Sequence, residues 1–283
     1  MRLTGATRLA AVIGDPIRHS RSPAIFNAAF AATGLDWAYL AFEVPGGRAA
    51  AALDAMRVLG IEGLSVTMPH KTDVAHLVDE LSSQAARLDA VNCVARDGDR
   101  LIGHNTDGAG FVSSLRIGAG FDPAGRRCVV LGAGGAARAV VLALAEAGAA
   151  EVVVVNRSPD RAADAAELAG AIGRIAETSA LAAPLADADL LVNATPVGMD
   201  AISTPVDAAL LDVLPDGALV ADLVYQPLVT PLVGLAAGRG LATLDGLGML
   251  VYQAAEAFER WTATAAPVVE MRRAGEASGV PGE

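Results

Sequence analysis

Of the 21 Lys and Arg residues in this chain, one, Lys71, is lysine and the rest are arginine. Arginine stays protonated at every accessible pH, whereas lysine can give up and regain a proton, so Lys71 is the candidate proton carrier. A coding bias toward arginine and alanine accounts for the arginines and would have converted a lysine that merely carries charge. Lys71 closes the segment SVTMPHK, which also holds Thr67. Ser20 and Ser22 lie in GDPIRHSRSP, Asn92 in AVN and Asp107 in NTDG. Ser22, Thr67 and Asp107 each also suit a helix cap. Hydroxyls, an amide, a lysine and a carboxylate gathered at one edge would suit a small polyhydroxylated acid.

A second kind of chemistry is written in CVVLGAGGAARA, from Cys128 to Ala139. Gly132, Gly134 and Ala137 match the GxGxxA form of the dinucleotide fingerprint, at the junction of an apolar strand and a helical pattern. Glycine there permits a tight turn and close approach of a pyrophosphate to the helix N-terminus. The next apolar run, EVVVV, ends in Asn156-Arg157-Ser158-Pro159-Asp160-Arg161. An acidic residue at that strand end would hold the ribose hydroxyls of NAD, whereas arginine accepts the 2′-phosphate of NADP. Asn156 in place of an acid, with Arg157 and Arg161 following, predicts NADP(H) as the cofactor.

The elements that must position these residues alternate along the chain. LAAVIG, YLAFEV and GLSVTM read as strands, and SPAIFNAAFAAT (ending at Gly34) and RAAAALDAMRVL (ending at Gly60) as helices, with Pro69 opening a third. AVNCVAR and RLIGHN read as a strand pair turning at Asp97-Gly98-Asp99. After the loop at Asp122 to Gly125 a second alternating series begins with RCVVLG and runs through GALVADLV. A long helix is predicted from Leu247 to about Thr262, and a loosely ordered polar tail from Arg272 onward. Alternation of this kind implies largely parallel sheets with crossovers, an α/β fold.

Composition excludes several classes. The net charge of −11 argues against a surface that tracks nucleic-acid phosphates. Four scattered histidines show no metal-ligand spacing, so no metal is expected. Cys93 and Cys128 lie in apolar runs with no secretory signal before them, which argues against a disulfide framework. The longest apolar region, 136 to 155, is broken by Arg138, Glu146 and Glu151 and fails as a membrane span. The reading is cytoplasmic, with no nucleic-acid or membrane partner; the oligomeric state, a homodimer included, is left open.

Nine segments, GDPIRHSRSP, SVTMPHK, AVN, GHNTDGAG, VLGAGGAARA, VNR, VNATPVGM, DLVY and DGLGMLVYQ, resemble in order and spacing the motifs of the shikimate dehydrogenase family. The resemblance runs from about Leu9 to Trp261. It implies NADPH-dependent, reversible reduction of 3-dehydroshikimate to shikimate on the route to chorismate and the aromatic amino acids. It further implies two α/β domains: a substrate domain from residues 1–108 and 246–283, to which a C-terminal helix returns, and a Rossmann-like NADP-binding domain over 109–245. Residue by residue, Lys71 and Asp107 match the catalytic pair. Ser20 and Ser22 match the hydroxyls that hold the substrate carboxylate, and Thr67, Asn92, Tyr225 and Gln253 match other substrate contacts. Gly132, Ala133, Gly134, Gly135, Ala136, Asn156, Arg157, Ser158, Arg161, Leu223 and Gly246 match cofactor positions. Three positions depart from the pattern: Phe26 where histidine is common, Ser65 where asparagine is common, and Ser83 where an acidic residue is usual. The competing expectations are a catabolic quinate/shikimate dehydrogenase using NAD or NADP, and a non-catalytic NADP-binding regulator on the same fold.

Overall fold

The computed structural model describes residues 3–278. The elements run in the order β1 (Arg8–Gly14), α1 (Ser22–Thr33), β2 (Trp37–Glu43), α2 (Ala49–Leu59), β3 (Ile61–Val66), α3 (Lys71–Ala75), β4 (Glu80–Leu81), α4 (Ser83–Leu88), β5 (Cys93–Asp97) and β6 (Arg100–His104). They continue with α5 (Asp107–Ser113), β7 (Arg127–Leu131), α6 (Gly135–Glu146), β8 (Glu151–Val155), α7 (Pro159–Ala166), β9 (Gly173–Ala176), α8 (Ala182–Leu185), β10 (Leu190–Asn193) and β11 (Leu219–Asp222). The last are α9 (Pro231–Ala237), β12 (Ala242–Leu244), α10 (Gly246–Thr262) and α11 (Val268–Ala277). The chain divides into two compact units, Met1–Thr106 with Val251–Glu283, and Asp107–Leu250.

The first unit is built on a six-stranded sheet in the order β2-β1-β3-β5-β6-β4. The expected parallel character holds for β1 with β2 and with β3, but β5 runs antiparallel to both β3 and β6. The turn at Gly98 (φ +61°) closes the β5–β6 hairpin, so the sheet is mixed. One face is covered by α2, α3 and α4, which bury Leu53, Met56, Val74 and Ala85 against Ile13, Leu64, Val66 and Val94. On the other face, Phe26 stacks on Tyr39 at 4.3 Å and on Trp261 at 5.1 Å, and Phe30 packs on Trp37 and Phe258. Offset aromatic packing of this kind adds to area burial. The indole of Trp261 lies directly over Gly63, where a Cβ would come within 2.7 Å of Cγ, and its N–H donates to the Val94 carbonyl oxygen at 3.0 Å. Gly63→Ala is therefore expected to lower stability by about 1–3 kcal/mol through overpacking. Urea unfolding checks this, and an unchanged midpoint would remove the packing argument.

Two sequence expectations change here. The tail from Arg272 is not loose as far as residue 278: α11 continues to Ala277, buries Met271, and receives the buried Arg21 side chain on the Gly275 carbonyl oxygen at 3.0 Å. Its polar composition is that of a helix burying a single narrow stripe. The part of that expectation covering residues 279–283 falls outside the described residues. The third helix begins at Lys71, not at Pro69.

The second unit is a fully parallel sheet in the order β12-β11-β10-β7-β8-β9. Counting from β7, this is the 3-2-1-4-5-6 order of a doubly wound sheet, whose switch point lies between β7 and β10. The strands read as unbroken apolar runs because both faces are buried. Alternate residues separate into two cores: Cys128, Val130, Val152, Val154, Leu190 and Val192 on one side, Val129, Leu131, Val153, Val155 and Leu191 on the other. Among the described residues, Cys93 and Cys128 are buried and form no disulfide, and burial pushes the Cys128 thiol up to about 12.

Candidate active site

In the first unit, the antiparallel β5 starts at the edge where β1 and β3 end, and β6 returns the chain to it. Ser65 pairs with Cys93, so Asn92 falls beside the residues that follow β3, and Val66 N–H donates to the Asn92 carbonyl oxygen at 2.8 Å. The loop from Thr67 to Lys71 is held from several sides. Thr67 N–H donates to Ile13 O at 3.0 Å, Asp15 N–H to Met68 O at 2.9 Å, and Val91 N–H to Lys71 O at 2.9 Å. The fully buried His70 donates from Nε2 to the Val44 carbonyl oxygen at 2.7 Å. A carbonyl only accepts, so the imidazole proton sits on Nε2. Lys71 therefore projects from the first position of α3 on a backbone tied to β1 and to residues flanking β1, β2 and β5. Gly14 lacks a side chain because a Cβ there would come within 2.5 Å of the Thr67 methyl group.

Asn92, Thr106 and Gln253 form a polar cluster at this edge. Asn92 Nδ2 donates to Thr106 Oγ1 at 3.0 Å, and Thr106 N–H donates to Asn92 Oδ1 at 2.8 Å. Thr106 Oγ1 donates to the Gln253 carbonyl oxygen at 3.1 Å, and Gln253 Oε1 lies 3.4 Å from Asn92 Nδ2. Helix α10 thus brings Gln253 to residues more than 140 positions earlier in the chain. Ser20 lies on the loop into α1 and Ser22 is the first residue of that helix, where its N–H donates to Ser20 Oγ at 3.3 Å. Neither Ser22 nor Thr67 is a cap: the N-caps of α1 and α3 are Arg21 and His70, without side-chain capping bonds. Their hydroxyls are thus not committed to helix ends. His104, at the end of β6, is held down at about 4 by burial, so it adds no charge at neutral pH.

The departures also find places. Phe26, fully buried in the aromatic stack, belongs to the core. Ser65 Oγ accepts from the Tyr39 hydroxyl at 2.7 Å, and burial keeps that phenol protonated, well above its usual range. Ser83 is exposed and donates to Gln84 Oε1 at 3.0 Å.

In the second unit, Asp107 is the buried first residue of α5, and Gly108 lets α5 pack closely on α6, since a Cβ there would reach Ala139 O at 2.7 Å. Gly132 (φ +108°) turns the chain out of β7 against Ala194 and Thr195, which follow β10, so it lies at the switch point of the sheet. Gly134 is the N-cap of α6 and supplies no capping side chain, which leaves first-turn N–H groups for an anion. A Cβ at Gly134 or Gly135 would meet no other atom within 4 Å, so the backbone there is open to close approach. At the end of β8, Asn156 Nδ2 donates to the Ser158 carbonyl oxygen at 3.1 Å. Arg157 and Arg161 are exposed and make no ion pair with any described residue. The residues present therefore fit a dinucleotide carrying an extra phosphate. Leu223 and Tyr225 follow β11, and Gly246 opens α10 against the backbone of Leu223, where a Cβ would lie 2.5 Å from the carbonyl carbon. No group of three or more His, Cys, Asp or Glu suited to a metal occurs among the described residues. Thr106, Asn193 and Asp222, which lie in the quoted segments, carried no assignment from sequence; the hydrogen bonds that single them out join distant positions.

Comparison with known proteins agrees with this geometry. Residues 12–94 match the model of the shikimate dehydrogenase substrate binding domain, 118–208 that of shikimate / quinate 5-dehydrogenase, and 246–274 that of the shikimate 5′-dehydrogenase C-terminal domain. The chain is 44% identical over 284 residues to shikimate dehydrogenase (NADP(+)) of Moorella thermoacetica, covering 96% of this chain and 94% of that protein. Shikimate 5-dehydrogenase of Listeria monocytogenes, solved with shikimate and NAD, superimposes with a TM-score of 0.90 at 36% identity, covering 96% of this chain and 98% of that one. Shikimate 5-dehydrogenase of Thermus thermophilus, solved with NADP(H) and shikimate, gives 0.88 at 38% identity, covering 96% and 99%. With motifs in order, sheet topology and whole-chain similarity all in agreement, this chain belongs to the shikimate dehydrogenase family.

Proposed function

We propose that this protein is an NADP-dependent oxidoreductase that interconverts 3-dehydroshikimate and shikimate. The observation that carries the reading is the chain's one lysine, Lys71, held by its backbone at the same sheet edge as the Asn92–Thr106–Gln253 cluster. That edge collects the donors and acceptors a polyhydroxylated ring requires. The second unit supplies the turn and helix N-terminus for the pyrophosphate.

Ser20 and Ser22 donate to the substrate carboxylate, while Thr67, Asn92, Gln253 and Tyr225 hold its ring oxygens. Gly132, Ala133, Gly134, Gly135 and Ala136 line the pyrophosphate, and Leu223 and Gly246 contact the cofactor. Asn156, Arg157, Ser158 and Arg161 receive the adenosine end, with the arginines on the 2′-phosphate. When bound, the reduced cofactor supplies a hydride to the ketone carbon. Lys71 donates a proton from Nζ to the oxygen that gains charge as the C–H bond forms, and takes it back in the reverse direction. Asp107 orients the lysine and the reacting hydroxyl. The chain's two units take the roles of substrate domain and cofactor domain. No helix among the described residues is long and apolar enough to cross a membrane, and we assign the protein to the cytoplasm.

Absorbance at 340 nm, with shikimate and quinate each offered with NADP and with NAD, tests the reading. Turnover is expected on shikimate with NADP, with quinate and NAD far slower. Comparable rates on quinate with NAD would move the protein to the catabolic branch. Binding of NADP without turnover on either acid would make it a regulator.

A further inference from the structure

Within the second unit, one buried carboxylate is bonded to several loops at the carboxyl edge of the sheet and is used by no step above. Asp222, at the end of β11, is fully buried and pairs with no cation among the described residues. Three groups donate to it: Asn193 Nδ2 to Oδ1 at 2.8 Å, Val224 N–H to Oδ1 at 3.0 Å, and Thr230 Oγ1 to Oδ2 at 2.6 Å. Asn193, also fully buried, spends the rest of its capacity on the turn after β10. Its Nδ2 donates to Val197 O at 3.0 Å, and its Oδ1 accepts from Thr195 N–H and Oγ1 at 3.1 and 2.7 Å. Leu223 N–H donates to the Asn193 carbonyl oxygen at 2.9 Å. The network therefore binds the 193–198 turn, which abuts Gly132, to the 222–225 segment, against which Gly246 is packed.

Its energetics are asymmetric. Removing a charge from water is costly unless donors replace the solvent, and burial raises the Asp222 carboxyl above its ordinary range while the three donors oppose that rise. A neutral polar side chain could accept the same hydrogen bonds without the cost of burying a charge, so stability alone is a poor reason for an anion here. A fixed negative charge has a use beside a ring whose charge changes. The nicotinamide of NADP+ is a cation and that of NADPH is neutral, and an unscreened anion favours the first.

Resting on the cofactor assignment made above, we propose that Asp222 is a positioning residue of the cofactor site. Its carboxylate locks the Leu223–Tyr225 segment to the 193–198 turn, and its charge raises affinity for the oxidised cofactor over the reduced one. Asp222→Asn keeps the shape: Oδ1 still accepts from Asn193 and Val224, and the new amide can donate to the Thr230 hydroxyl.

Affinities are measured on the purified full-length variants, NADPH by fluorescence and NADP+ by calorimetry. For Asp222→Asn, the Kd of NADP+ is expected to rise about tenfold relative to that of NADPH. Thr230→Ser, which retains the donor and the cap of α9, is expected to leave that ratio unchanged. Equal weakening of both forms would mean a scaffold without an electrostatic role and would overturn the charge assignment. Unchanged affinities for both would overturn the whole proposal. Should the amide variant fail to fold, Asp222→Ser removes the same charge with a smaller side chain and is read by the same ratio. Failure of the unmodified protein to bind either form would instead sink the cofactor assignment itself.

Discussion

Lys71→Ala is expected to lower kcat by about 100-fold or more, with the Kd of NADPH unchanged. The loss is confined to turnover because the side chain acts on charge that develops in the transition state. The backbone that carries it is held independently of its Nζ, through Thr67, Met68, His70 and the Lys71 carbonyl oxygen. Removing the side chain therefore leaves the loop in place. Lys71→Arg provides the sharper comparison, since it keeps the charge and removes only the ability to exchange a proton at working pH. If proton transfer is the role, arginine fails to restore turnover; if charge alone is needed, it restores much of it. Single-turnover oxidation of shikimate followed at 340 nm separates the two. Near-normal hydride transfer in Lys71→Ala would reject the assignment outright.

Arg157→Ala is expected to weaken NADP by about 10- to 100-fold while leaving NAD nearly unaffected, since a charge-assisted bond to a phosphate contributes about 1.5–3 kcal/mol. The side chain is exposed and without an ion-pair partner in the described structure, so its removal breaks no internal contact. Arg161, one turn into the same loop and helix, should show a smaller effect, and the double variant should approach equal use of both cofactors. The measurement is kcat/KM for shikimate oxidation with each cofactor. An equal fall with NADP and NAD would show that the loop, rather than a phosphate contact, was disturbed.

What could be read from the residues in order was the part of the protein that local physics decides. The run CVVLGAGGAARA announces strand, turn and helix because an apolar strand, positive-φ glycine and a helix start are all set within a dozen neighbouring residues. The expectation of NADP rests on Asn156 and Arg157, again adjacent in the chain. Lys71 stood out by composition alone. The antiparallel course of β5, by contrast, follows from strand order in a folded sheet, and that course is what sets Asn92, just ahead of β5, at the edge beside Thr67 and Lys71.

Tertiary structure alone decided the rest. Ser22 and Thr67, taken singly, read as caps before ligands until Arg21 and His70 took those positions. Phe26 became a core residue when β2 and α10 brought Tyr39 and Trp261 against its ring. Ser65 acquired a phenol partner from a different strand, and Asn193 was joined to a carboxylate 29 residues away. Periodicity and turn chemistry act over a few residues and are legible in the chain. Satisfaction of buried polar groups is a condition on the packed interior, met only by whichever distant side chains the strand order delivers there.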